Sequence, residues 1–150
     1  MLFKTVAFHE LSLNELHDLL KLRTDTFVVE QACAYPEIDG NDPKCFHTLG
    51  TDSGGVLRAV ARIVPEGVNG KQLSIGRVVV EPSARGRGAG RKLMEEAISF
   101  CESKWGKTTV KVAAQLYLKE FYRDLGFVPT GDVYPWDGID HIDMLREAKD

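Results

Sequence analysis

The residues with the plainest chemistry are Arg85-Gly86-Arg87-Gly88-Ala89-Gly90. Glycines at alternate positions let the backbone approach a ligand with no Cβ atoms in the way. The segment runs into a helical pattern, and the first N–H groups of a helix lack intrahelical partners while its dipole places partial positive charge at that end. An anion is favoured there, a pyrophosphate above all, and the two arginines add full charges. Spacing removes two common owners of such a loop. A dinucleotide fold wants G-x-G-x-x-G, but counted from Gly86 the third glycine position holds Arg91, and the G-x-x-x-x-G-K-[ST] of a P-loop is absent. Both would also sit in a mostly parallel sheet, which the order of elements does not supply. What matches is Arg-x-x-Gly-x-Gly, carried by Arg85, Gly88 and Gly90.

Such a loop needs a strand before it and a helix after it. The apolar run Val78-Val79-Val80 stops at Pro82, and Leu93, Ala97, Cys101 and Trp105 then recur at i, i+4 up to Gly106, a C-cap. Upstream, Val6 and Phe8 mark a short strand, and Ser12-Leu13-Asn14-Glu15 fits a capping box opening a helix to about Glu30, whose buried face is expected to carry Leu13, Leu16, Leu20 and Phe27, with Leu19 beside them. Residues 35–43, rich in turn formers and carrying Glu37, Asp39 and Asp42, read as an exposed loop, either drawing in a cationic amine or solubilising the surface. Residues 46–50 and 56–64 flank a turn at 52–55, and 73–80 completes an antiparallel meander. The strand 108–114 follows a helical crossover and so is parallel to its predecessor. A shorter helix, 116–125, ends at Gly126, and 127–134 and 139–146 flank a final turn at 135–138. The expected fold is α/β of the mixed kind: a mostly antiparallel twisted sheet of about seven strands, helices on both faces, one parallel joint, and a single domain over residues 1–150.

Composition sets the bounds. A chain of 150 residues, 43% hydrophobic and 27% charged, is an ordinary globular domain. Its net charge of -3 makes the arginine loop a local feature of a mildly acidic protein, which argues against nucleic acid as a partner. Cys33, Cys45 and Cys101 are odd in number and widely spaced, so free thiols in a reducing compartment are expected and no metal pattern arises. No apolar run approaches the roughly 20 residues of a membrane span and no secretory leader is read at the start, so a cytoplasmic protein without membrane contact is expected. Exposed strand edges and the late hairpin leave room for a homodimer.

The loop, its preceding Val78-Val79-Val80-Glu81-Pro82, and Phe121-Tyr122-Arg123-Asp124-Leu125-Gly126-Phe127 about thirty residues on together resemble the GNAT superfamily of acetyl-CoA-dependent N-acyltransferases. Phe27-Val28-Val29-Glu30-Gln31, Tyr35-Pro36-Glu37-Ile38-Asp39-Gly40-Asn41-Asp42, Ile75-Gly76-Arg77-Val78 and Asp137-Gly138-Ile139-Asp140-His141-Ile142 resemble its ElaA-type branch, so the likeness spans nearly the whole chain. The resemblance implies the GNAT fold with acetyl-CoA as acyl-donor cosubstrate and no metal. Backbone N–H groups of Arg85, Gly86, Arg87, Gly88, Ala89 and Gly90 would hold the pyrophosphate. Val78, Val79 and Val80 would lie along the pantetheine arm, and Gln115 and Tyr122 would complete the cofactor set.

Transfer to an amine requires a base for the ammonium, an oxyanion donor and an acid for the leaving thiolate. Family position makes Tyr122 the acid and the N–H of Val79 or Val80 the oxyanion donor. Glu30, His47 and His141 are the candidate bases, with nothing in the sequence to choose among them. Arg62 and Arg77, charged within apolar strands, are expected to form sheet-face salt bridges, to Glu30 or Asp39, rather than to bind substrate. The expected activity is direct attack of an amine, small molecule or peptide, on the thioester; the alternative is a catalytically silent acyl-CoA-binding regulatory module.

Overall fold

The computed structural model describes residues 1–148. In chain order the elements are β1 (Leu2–Ala7), α1 (Leu13–Thr24), β2 (Phe46–Thr51), β3 (Leu57–Val64), β4 (Leu73–Val80), α2 (Ala89–Trp105), β5 (Val110–Gln115), α3 (Lys119–Asp124), β6 (Val128–Pro129), β7 (Tyr134–Trp136) and β8 (Ile139–Arg146). The strands form one sheet in the order β1-β2-β3-β4-β5-β8-β6, with β7 also on β8. All pairs are antiparallel except β4 with β5, which is the mixed fold read from the sequence, with eight strands in place of about seven. The extra strand arises because 127–134 is not continuous: Val128 pairs with Leu145, and Tyr134 pairs separately with His141. The last turn is also tighter than 135–138. Asp137 and Gly138 alone make it, at φ 51° and 76°, while Pro135 and Trp136 join the ladder. Two consecutive residues at positive φ match the right-handed twist of the flanking strands.

Alternation along β3 divides the core. Ala59, Ala61 and Ile63 belong to the larger cluster, with Leu93, Met94, Ala97, Ile98 and Cys101 of α2. Val60 points the other way and, with Val79, packs against Leu19 and Leu22 of α1. Helices therefore cover both faces. The capping box at Ser12 is present, with Glu15 N–H donating to Ser12 Oγ at 3.0 Å and Ser12 N–H to Glu15 Oε1 at 2.9 Å. Leu13, however, is 86% exposed. Packing of α1 begins one turn later at Leu16, and the buried face is completed by Arg23.

Arg23 overturns the expectation for the acidic loop. Glu37 and Asp42 are 5% and 4% exposed, folded inward against three guanidinium groups. Arg23 donates to Asp42 at 2.8 Å and pairs with Glu37 at 3.2 Å. Arg62 binds both oxygens of Asp39 at 2.9 Å and reaches Asp42 at 3.2 Å, and Arg77 Nε donates to Glu37 at 2.5 Å. The sheet salt bridges are thus real, with Asp39 the partner of Arg62, Glu37 the nearer partner of Arg77, and Glu30 the partner of neither. Burial, the largest single influence, would raise Asp39 and Asp42; the hydrogen bonds from Arg62 and Arg23 together with the neighbouring guanidinium charges outweigh it and hold both below the ordinary carboxylate range.

Two features of β4 shape its free edge. Its register with β3 shifts: Arg62 pairs with Gly76, but Val60 pairs with Val79, so Arg77 and Val78 together oppose one residue of β3. This is a β-bulge, and Arg77 sits in it at φ 50°. For a residue with a Cβ that conformation costs on the order of 1–2 kcal/mol. Secondly, β4 pairs with β5 only at Leu73–Val110 and Ser74–Lys111, beyond which the two strands separate.

Candidate active site

The glycine loop stands at the open end of this separation. Pro82–Ala84 form a single 3₁₀ turn, with Glu81 accepting from Ser83 N–H at 3.1 Å. Gly86 and Gly88 follow at φ 81° and 75°, and a Cβ on either would meet nothing within 4 Å, so the loop is open on its outer side. Gly88 is the N-cap of α2 and no side chain caps that end. Gly90 has another role: a Cβ there would touch Phe121 at 3.6 Å and Val80 at 3.7 Å, which seats the first turn of α2 close to β4 and α3. Open glycines and an uncapped helix start fit a pyrophosphate. Arg85 is engaged elsewhere, its Nε donating to the Val80 carbonyl at 2.8 Å and its Nη2 pairing with Glu30 at 3.1 Å. It fastens the loop to β4, although both arginines of the pair are exposed.

Between β4 and β5 lies a cleft of about 1510 Å³, larger than the ~300–1,000 Å³ of a typical single-ligand pocket. Register decides which backbone groups face it. Glu81 N–H donates to the Arg58 carbonyl at 2.7 Å, and groups alternate sides along a strand, so Val79 also turns its N–H and C=O to β3. Val78 and Val80 turn theirs to the gap. Of the two oxyanion candidates, the N–H of Val80 faces the cleft and that of Val79 does not.

Tyr122 lines the cleft while 6% exposed, set edge-on between Phe121 and Phe127 at 5.1 and 5.8 Å. Burial, with a small addition from Tyr117, raises its phenol well above the ordinary value and keeps it protonated. Gln115, the last residue of β5, lies opposite His141 of β8. His141 is 7% exposed, stacks on Tyr134 at 6.0 Å and lies 5.3 Å from Trp136. Its Nδ1 is 2.7 Å from the Ile139 carbonyl. A carbonyl can only accept, so Nδ1 carries a proton, and in the neutral ring Nε2 is the nitrogen with the lone pair.

The other two candidate bases are placed differently. Glu30 borders the cleft but is exposed and paired with Arg85. His47 is fully buried on β2, opposite Arg62, with Nε2 3.1 Å from the Asp42 carbonyl, and is not among the cleft residues. Burial lowers its pKa and keeps it neutral, making it a core histidine of the ion network. The residues after α1 close one side of the cleft. A six-residue π-helical stretch, Asp25–Glu30, gives way to Gln31, whose Nε2 approaches Gln115 Oε1 at 3.5 Å, and Cys33, whose Sγ lies 3.6 Å from the Asp137 carbonyl. Sequence reading missed this bridge to the last hairpin, and missed Tyr134 and Trp136 as lining residues, because the contacts span some hundred residues. The bulge did leave a trace: apolar residues Leu73 and Ile75 alternate, then the spacing to Val78 is three.

Comparison with known proteins agrees with this geometry. The family described as acetyltransferase (GNAT) domain matches residues 21–148. The chain is 43% identical over 141 residues to a UPF0039 protein of Schizosaccharomyces pombe, covering 93% of each, and 41% identical over 141 residues to protein ElaA of Escherichia coli, covering 93% of this chain and 92% of that one. Among solved structures, an acyl-CoA N-acyltransferase from Pseudomonas aeruginosa superimposes with a TM-score of 0.90 at 40% identity, over 96% and 97% of the two chains. Escherichia coli ElaA gives 0.90 at 38%, over 98% and 100%. An aminoglycoside 6'-N-acetyltransferase complexed with coenzyme A shares the fold at a TM-score of 0.73 and 19% identity, over 98% and 97%. A sheet split between a parallel pair, a glycine loop leading into an uncapped helix, and a family match over most of the sequence converge: the chain belongs to the GNAT family of acetyltransferases, among the ElaA-like proteins.

Proposed function

We propose that this chain transfers an acetyl group from acetyl-CoA directly to a primary amine. The observation that carries the reading is the uncapped N-terminus of α2 behind Gly86 and Gly88, opening onto the cleft where β4 and β5 part. In this reading the N–H groups of residues 86–90 hold the pyrophosphate of the donor, that of Arg85 being bonded to the Pro82 carbonyl. The gap-facing N–H and C=O of Val78 bond its extended arm as a neighbouring strand would, the N–H of Val80 is kept for the thioester oxygen, and Gln115 faces the arm from β5. The coenzyme A held by the structurally similar aminoglycoside acetyltransferase supports this choice of donor.

Val80 N–H is the donor for the developing oxyanion. His141 Nε2, directly or through a water, accepts the ammonium proton; the alternatives have the drawbacks that Glu30 is paired and His47 lies off the cleft. As the new C–N bond forms and the C–S bond breaks, the Tyr122 phenol gives its proton to the departing thiolate, while the nitrogen loses its second proton to solvent, from which the phenolate is reprotonated. Cysteine chemistry has little support. Burial pushes the thiols of Cys45 and Cys101 up to about 11 and about 12, so neither is a thiolate at neutral pH.

The test is an amine-dependent release of free thiol from acetyl-CoA across peptides, polyamines and small amines. Thiol release in step with N-acetylated product supports the proposal. Acetyl-CoA binding without turnover of any amine supports the silent module instead, and an acetyl group trapped on Cys33 would overturn direct transfer.

A further inference from the structure

The buried ion network has no part in the chemistry of acyl transfer, yet it ends at the bulge that aims the backbone of β4. Among the described residues Arg77 is the one strand residue with a side chain at positive φ; the other two, Ala32 and Asp137, lie in a loop and a turn. Its guanidinium is held on several sides. Nε donates to Glu37 Oε2 at 2.5 Å, Nη2 lies 3.4 Å from the Glu37 carbonyl and 3.6 Å from Asp39, and the group sits over the Tyr35 ring at 5.5 Å. Glu37 is itself fixed by Arg23 of α1, and Asp39 by Arg62 of β3. An arginine that would otherwise disfavour this backbone is thereby tied to two carboxylates anchored in different elements.

The bulge has a geometric consequence. Before it, Leu73 and Ile75 point into the α2 core; after it, Val78 and Val80 do, and Val79 points to α1. Without the additional residue the parity would continue unchanged, and the backbone edge now offered by Val78 and Val80 would belong to their neighbours. We infer that Glu37 and Asp39, acting through Arg77, form a positioning clamp that holds the bulge and so turns the N–H of Val80 into the cleft. The residues 35–42 are then neither a solubilising loop nor an acceptor site. They are a brace for the oxyanion donor. This inference rests on the transferase reading for its kinetic consequence, but its structural content stands without it.

The experiment compares Arg77→Ala with Arg77→Gly. Both remove the clamp, but only glycine adopts φ near 50° without a Cβ penalty. The readouts are kcat, acetyl-CoA affinity by calorimetry, and β3–β4 register from NMR contacts between Val80 and Ala59. The expected result is a kcat at least tenfold lower for Arg77→Ala, with loss or slippage of the native register, and recovery in Arg77→Gly of native register and at least a third of wild-type kcat. Acetyl-CoA affinity should stay within about threefold in Arg77→Gly and fall by more than that in Arg77→Ala, where the slipped strand turns the groups of Val78 away from the arm of the donor although the loop at 85–90 is untouched. Equal kinetic losses in both variants with native register would overturn the inference, since the side chain would then be acting on substrate. Native register with wild-type turnover in Arg77→Ala would overturn it as well. If Arg77→Ala fails to fold while Arg77→Gly folds in native register, the inference is supported; if neither folds, the guanidinium serves the fold and not the bulge, and the inference falls. Should the wild type turn over no amine at all, the transferase reading falls, and register alone decides the clamp.

Discussion

In the proposed transfer Tyr122 and His141 are the side chains that would carry the protons, and each is specified by its surroundings. A phenol this buried stays protonated and has a proton to give, so Tyr122→Phe should lower kcat about 10²-fold or more while leaving the acetyl-CoA KM within a few-fold, because the ring packing against Phe121 and Phe127 survives. Steady-state kinetics with one good amine would decide it; unchanged kcat removes Tyr122 from the mechanism. For His141, the Ile139 carbonyl fixes the tautomer that leaves Nε2 as acceptor. His141→Gln should slow turnover most near neutral pH, where an alkyl amine of pKa ~10 arrives protonated. The deficit should shrink as pH rises towards 10 and the amine arrives neutral. A deficit independent of pH would assign His141 to packing against Tyr134 and Trp136 instead.

At the scale of elements, the loop at 35–43, α1, β3 and β4 are joined by one set of buried charges. Removing a single member leaves its partners uncompensated, which costs about 3–5 kcal/mol. Asp42→Asn should therefore lower the melting temperature by roughly 6–20 °C, at about 2–4 °C per kcal/mol for a domain of this size. A shift of a degree or less in calorimetry would show the network to be energetically idle. The pH dependence has a definite sign. Asp39 and Asp42 have folded pKa values below their unfolded ones, so they bind protons less readily in the native state. Their contribution is fully present above the unfolded carboxylate value of about 3.9 and is lost as pH falls from there through the folded values. Wild-type melting temperature should drop steeply over that acid range, and more shallowly in Asp42→Asn.

For the whole molecule, the consequential feature is a sheet that is continuous at one end of the β4–β5 joint and open at the other. Val79 should be a protected amide, bonded to β3, whereas the amides of Val78 and Val80 face the gap. Hydrogen exchange in the free protein should therefore be at least about tenfold faster at Val78 and Val80 than at Val79. Addition of coenzyme A should slow both and leave Val79 nearly unaffected. Equal protection of all three before addition would mean that the cleft is closed in solution.

Much of this architecture was legible in the sequence because it is written in local signals. The capping box at Ser12, the turn at 52–55, the glycine loop and the stripe on α2 depend on residues a few positions apart, and backbone physics acts at that range. The parallel sense of β5 against β4 followed from a helical crossover. What the sequence could not convey was long-range partnership. It showed three acids in a turn-rich stretch, but not that Arg23, Arg62 and Arg77 would meet them from α1, β3 and β4 and draw the stretch inward. It proposed Glu30, His47 and His141 on equal terms, and only packing set His141 in the cleft, tied Glu30 to Arg85 and buried His47. The sequence by itself determined the elements and the glycine loop, because caps, turns and periodicity are local. The tertiary structure alone decided which way the backbone of β4 faces, because that depends on one additional residue in a bulge held by charges from the far side of the chain.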